Sequence, residues 1–250
     1  MSRTFFMGIL RLASGILIFS GANTLAETAQ APARFLVQLE HRHPQTIVVY
    51  GTSLTANAAW PSGLQKILRH HYGTTVRLTN AALGGKDSRW GLTNLNERVI
   101  REQPDAVLIE FAINDALESS KMSVTESTDH LKSMIQKLHI AKPSCEIILM
   151  VMNPPTGAAL EKRRQFTAYR KAYQTVAREM KCRLIDFYPL WKSLMDEQPE
   201  RWKNYAPDGL HPNDCASREV ILPALLEGLG CRVSRNELRI LNPPNSSPHR

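Results

Sequence analysis

Four cysteines in 250 residues, Cys145, Cys182, Cys215 and Cys231, stand too far apart to form a CxxC zinc or redox site. Their pairing is not readable from spacing. Cys145 and Cys182 each open an apolar run, as small buried thiols do. The chain also lacks an uninterrupted apolar stretch of the ~20 residues that a helical bilayer span requires. Internal repeats are absent. The fragment "GGKDS" lacks both the earlier glycine and the Ser or Thr directly after its lysine that a phosphate loop needs, which excludes that loop. Aromatic residues make up 7% of the chain, hydrophobic residues 43% and charged residues 22%, which excludes disorder throughout.

What is present begins with a leader. Residues 1–26 carry Arg3, then "FFMGILRLASGILIFSGA", then small residues ending at Ala26. That order of basic, apolar and small-residue regions reads as a secretory signal peptide, with an N-terminal membrane anchor as the alternative. No cysteine lies there to carry a lipid. Removing residues 1–26 lowers the formal net charge from +8 to +6. The remaining basic residues are scattered. Their densest cluster, "EKRRQ" at 161–165, reads as a solvated helix face, and no nucleic-acid motif accompanies it.

Residues 27–43 read as a polar lead-in. From about residue 46, Val- and Ile-rich runs alternate with segments of helical period. The strand candidates are 46–51, 75–80, 105–112, 145–152 and 182–187. Trp60, Leu64, Ile67, Leu68 and His71 share one helical face behind Pro61; Leu92, Leu95 and Val99 mark a second helix. A third carries Leu131, Ile135 and Leu138, and a fourth Phe166, Tyr169, Tyr173, Val176 and Met180. The last, around 216–229, has Pro223 near its start or as a kink. This alternation predicts one three-layer α/β/α domain with a five-stranded parallel sheet, over 44–231, and a loose tail over 232–250. Right-handed crossovers place every strand's carboxyl end on one edge, so function belongs in the loops there.

The first such loop gives "GTSLT", where Ser53 is either a nucleophile at a strand end or a turn serine. The second, "NAALGGKDSRWG", offers backbone N–H groups at Gly84 and Gly85. In the third, "EFAINDA", Asn114 is either a turn residue or a donor aimed into the site. Late in the chain, "YAPDGLHPN" sets Asp208 three residues before His211. A carboxylate so placed can hold one imidazole nitrogen while the other faces a serine; a surface turn is the alternative. Together these loops supply a nucleophile, a base with its orienting acid, and oxyanion donors.

Those four blocks in order, "GTSL", "NAALGGKDS", "AIND" and "DGLHPN", resemble the SGNH hydrolases, also called GDSL esterases and lipases, over residues 46–230. The stretch "AAWPSGLQKILRHHYGTTVRLTNAALGG" is similar to their arylesterase, lysophospholipase and thioesterase branch. The resemblance implies a flavodoxin-like fold, Ser53 as nucleophile, His211 as base and Asp208 as its orienting acid. It implies an oxyanion hole of the Ser53 and Gly85 N–H groups and the Asn114 amide, Gly85 being selected by counting from Asn80. Neither a metal nor an organic cofactor is implied.

Three positions depart from the family pattern. Thr52 stands for an Asp, Ala112 for a Gly, and "GGKD" for "SGDT". Thr52 removes a negative charge beside the nucleophile, and Ala112 costs little only where φ is negative. Thr55 and the shared Asp–His loop separate the chain from enzymes with a G-x-S-x-G elbow. The expectation is an exported serine esterase favouring small acyl groups, such as acetyl esters of carbohydrates. A lysophospholipase or thioesterase for longer chains, and a non-catalytic carbohydrate-binding module, are the alternatives.

Overall fold

A computed structural model describes residues 31–73 and 76–238. In chain order the elements are α1 (Arg34–Glu40), β1 (Gln45–Gly51), α2 (Ser53–Ala56), α3 (Trp60–Tyr72), β2 (Val76–Asn80), α4 (Ser88–Arg98), β3 (Ala106–Glu110) and α5 (Ala112–Asp115). They continue as α6 (Val124–Ala141), β4 (Glu146–Val151), α7 (Gly157–Glu161), α8 (Phe166–Glu179), β5 (Arg183–Asp186), α9 (Tyr188–Glu197), α10 (Pro199–Tyr205), α11 (Asp214–Ala216), α12 (Leu222–Gly228) and α13 (Arg235–Leu238).

The five strands are wholly parallel in the order β2-β1-β3-β4-β5. β3 and β4 are buried at every position, as strands covered on both faces must be, and their unbroken Val, Ile and Leu runs follow from that. Helices α4, α6 and α8 pack together in one layer, while α3 packs with α12 in another. The helical faces expected from periodicity are the buried ones: Trp60, Leu64, Ile67 and Leu68 on α3, and Leu131, Ile135 and Leu138 on α6. Each such side chain contributes about 1.5–3 kcal/mol by leaving water. His71 is the exception, turned outward onto Glu237 at 2.5 Å. Helix α6 starts at a capping box in which Ser123 and Glu126 satisfy each other's backbone N–H groups.

Two segments differ from the sequence expectation, and a third resolves an alternative it left open. The polar lead-in contains α1, whose Phe35, Leu36 and Leu39 are buried in the core. Helices α9 and α10 occupy the stretch before Asp208, where no helix was expected, and bury Trp191 and Trp202 edge to face. Pro223 lies in the first turn of α12, directly after a π-helical turn over Ser217–Ile221. Lacking an N–H, it cannot continue the regular ladder, which widens just before it. The leader and residues 239–250 lie outside the described residues. Among the described residues no helix is long and apolar enough to cross a membrane. All four cysteines are free thiols.

Strand order reverses between β1 and β3, the two strands on either side of which the chain winds in opposite directions. The crevice outside their carboxyl ends is where such sheets bind ligands. Ser53 follows β1 and Asn114 follows β3.

Candidate active site

Ser53 is the first residue of α2, set at the end of β1 by an N-cap. Thr52 is extended, and its hydroxyl accepts the Leu54 N–H at 3.2 Å. Thr52 also receives the Thr55 and Ala56 N–H groups on its carbonyl. The Ser53 N–H has no protein acceptor among the described residues. It therefore remains free to meet a ligand oxygen.

Ser53 Oγ lies 2.9 Å from His211 Nε2, and His211 Nδ1 lies 2.6 Å from Asp208 Oδ2. An ionised carboxylate only accepts, so the Nδ1 position carries the hydrogen and Nε2 presents its lone pair to the serine hydroxyl. Asp208 Oδ1 accepts the N–H groups of Leu210 at 2.9 Å and His211 at 2.8 Å. Partial burial works upward on the Asp208 carboxyl, but the bonds from His211 and Leu210 outweigh it and hold the group below its ordinary range. The turn is fastened from β4's side: the Thr156 N–H donates to the Gly209 carbonyl at 2.8 Å, and Asn153 Nδ2 to the Leu210 carbonyl at 2.9 Å. The side chains of His211 and Asp208 are nonetheless 45% and 54% exposed. The imidazole therefore stands at an open surface.

The second and third loops meet beside the serine. A Cβ placed on Gly84 would stand 3.6 Å from Ser53 Cβ. Gly85 has φ +73°, the left-handed region that glycine occupies without cost, and its N–H also lacks a protein acceptor among the described residues. Asn114 is buried, and one hydrogen of its amide goes to the Lys86 carbonyl at 2.9 Å. Its second hydrogen is left for a ligand. Asp115, also buried, fastens the same loops together by accepting the Ser88 N–H at 2.7 Å and the Ser127 hydroxyl at 2.5 Å. Burial pushes its carboxyl up to about 6. Ala112 is the first residue of α5 and is not among the residues with positive φ, so the missing glycine carries no backbone strain.

Sequence reasoning passed over Glu110. This last residue of β3 pairs in register with Gly51, is 2% exposed, and lies against the Thr52–Thr55 turn. Its Oε1 accepts the Thr52 N–H at 2.6 Å, the Thr52 hydroxyl at 3.0 Å and the Thr55 hydroxyl at 2.8 Å. A Cβ on Gly51 would come within 2.3 Å of that oxygen, so glycine is what lets the carboxylate approach. Burial pushes Glu110 up to about 7, against the lowering pull of the Thr52 and Thr55 donors. The available signal was a lone charged residue ending an otherwise apolar strand.

A cavity of about 230 Å³ opens at the serine, lined by Ser53, Leu54, Asn57, Ala58, His211 and Pro212. A larger one of about 710 Å³ lies between β5 and α12 and shares no residue with the site, so chemistry and not size identifies the crevice. Among the described residues no group of His, Cys, Asp and Glu side chains is arranged to hold a metal ion.

Residues 47–217 match the GDSL-like lipase/acylhydrolase family. The chain belongs to that family. An arylesterase of Vibrio mimicus is 26% identical over 191 residues, covering 71% of this chain and 85% of the relative. The solved structure of TesA is 26% identical, with a TM-score of 0.60 over 74% of this chain and 98% of that one. A GDSL-like lipase from Parabacteroides merdae, 18% identical, shares the fold with a TM-score of 0.66 over 76% and 97% of the two chains. As a member of this family the protein is an ester-hydrolysing enzyme with the SGNH fold.

Proposed function

We propose that the enzyme is a serine esterase in which Ser53, His211 and Asp208 form the triad and the Ser53 N–H, the Gly85 N–H and the Asn114 amide hold the oxyanion. The observation that carries this reading is the continuous chain from Ser53 Oγ through His211 to Asp208, at 2.9 and 2.6 Å. His211 Nε2 takes the Ser53 proton as Oγ attacks the ester carbonyl carbon. The oxygen that gains charge is met by two backbone N–H groups without a protein acceptor among the described residues, and by the amide hydrogen of Asn114 that is not given to Lys86. Removing one such donor costs about 2.7–4 kcal/mol of transition-state stabilisation. His211 then gives its proton to the departing alcohol, leaving an acyl-Ser53 ester. Water, activated by the same imidazole, cleaves that ester and restores the serine.

The short cavity supports a small acyl group, and the exposed Asp208–His211 side leaves room for a bulky alcohol such as a carbohydrate. An acetyl ester of a carbohydrate fits both. Purified residues 27–250 should hydrolyse short-chain aryl esters and acetylated sugars in preference to long-chain thioesters and lysophospholipids. Ser53→Ala and His211→Ala should each remove that activity. A Ser53→Ala protein with full activity rejects the triad, and a preference for long acyl chains rejects the substrate class. The leader composition supports export, with cleavage after Ala26. N-terminal sequencing of exported protein checks it, and an intact Met1 counts against it.

A further inference from the structure

We propose that Glu110 is a positioning residue for the nucleophile, its ionised carboxylate holding the Thr52–Thr55 turn from below so that Ser53 keeps its place between His211 and the oxyanion donors. This rests on Ser53 being the nucleophile. The argument from geometry is one of hydrogen counting. Three hydrogens point at this carboxylate, from the Thr52 N–H and the Thr52 and Thr55 hydroxyls. All three come from the four residues that carry Ser53. The Thr52 hydroxyl is committed on both sides, because it also receives the Leu54 N–H that caps α2.

An ionised carboxylate satisfies this set, having only acceptors to offer. A protonated one brings a fourth hydrogen into a dry cluster that already has three, so one hydroxyl must turn away and the cap loosens. Among the described residues no cation neutralises Glu110 within hydrogen-bonding distance, and its hydrogen-bond partners there are these neutral groups. The titratable groups coupled to it are Asp115 on α5, whose charge disfavours that of Glu110, and the Tyr173 phenol on α8, which the Glu110 charge keeps neutral. The Thr52 and Thr55 donors are thus what keeps the charged form within reach near neutral pH. In this chain the position beside the nucleophile carries no carboxylate, and the negative charge under the loop arrives from the neighbouring strand instead.

The test compares wild type with E110Q and T55V on one short-chain aryl ester, reading kcat, KM and the pH profile of kcat/KM. Gln keeps the size of Glu but brings two hydrogens, as the neutral acid brings one. E110Q should lose roughly 10- to 100-fold in kcat with KM within about twofold, as misplacement of a reacting group does. The acid limb of kcat/KM should show two ionisations in the wild type and one in E110Q. In T55V, where the carboxylate keeps its charge but loses a donor, the limb should move to higher pH; this variant decides the matter if E110Q does not fold. A wild-type kcat in E110Q, or an acid limb unchanged in both variants, overturns the proposal. With Ser53→Ala inactive in the same assay, that result removes the role of Glu110 alone, whereas an active Ser53→Ala protein removes the triad on which it rests.

Discussion

The carboxylates of Asp208, beside His211, and Glu110, beside the Ser53 turn, are held in opposite ways. Asp208 sits in a surface turn, 54% exposed, bonded to its own neighbours Leu210 and His211. Glu110 is 2% exposed and reaches across from β3 to the loop after β1. The first is ionised because local N–H groups outbid its partial burial, and the second is ionised with difficulty because burial outbids its donors. An exposed carboxylate contributes orientation at little cost to stability, whereas a buried one ties its contribution to the fold and to pH.

Replacing Asp208 by Asn separates these contributions most sharply. The imidazole loses the acceptor that fixes its tautomer, and kcat should fall on the order of 10³-fold, short of the ~10⁴ known where the equivalent carboxylate is buried. The melting temperature should stay within about 4 °C, since exposed pairs contribute at most about 1 kcal/mol. A large loss of stability with little loss of rate would invert the contrast.

The buried side of the comparison is tested through pH. Glu110 has a folded pKa of about 7 against an ordinary 4.5, so between those values the folded state holds more protons than the unfolded one. Its contribution to stability is therefore complete below about pH 4 and is lost as pH rises through 7, a swing of about 3 kcal/mol. Gln cannot lose a proton, so the melting temperature of E110Q relative to wild type should rise steadily from pH 4 to pH 8. A difference that does not change with pH would place the Glu110 charge elsewhere than in the dry cluster.

The same contrast explains what the sequence disclosed. Ser53, Gly85, Asn114, Asp208 and His211 lie in the loops and short helical turns that follow the strands, where glycine, proline and short polar residues stand out, and the alternating pattern told where those segments must gather. The strands were equally plain, because a parallel sheet covered on both faces leaves unbroken Val and Ile runs. Glu110 was not legible because its partners are set by which strand lies beside β1, a long-range choice that no local window contains. Helix α1 escaped for a related reason. "RFLVQLE" offers three apolar anchors among polar neighbours, and only the sheet it covers reveals that they are buried. Helices α9 and α10 are short, and their docking includes ring contacts of Trp191 with Trp202 and Tyr205 that no local window predicts.

The register that sets Gly51 opposite Glu110 has a consequence for assembly of the enzyme. Successive side chains of a strand point to opposite faces, so a shift of β3 by one residue against β1 would carry Glu110 away from the nucleophile turn and bring Phe111 or Ile109 toward it. A misaligned sheet would keep Ser53, His211 and Asp208 in the chain and still lack the footing of the first. On the proposed mechanism, catalytic competence doubles as a check on strand alignment, because the Ser53 turn gains its Glu110 footing only when the two central strands have paired in their native frame.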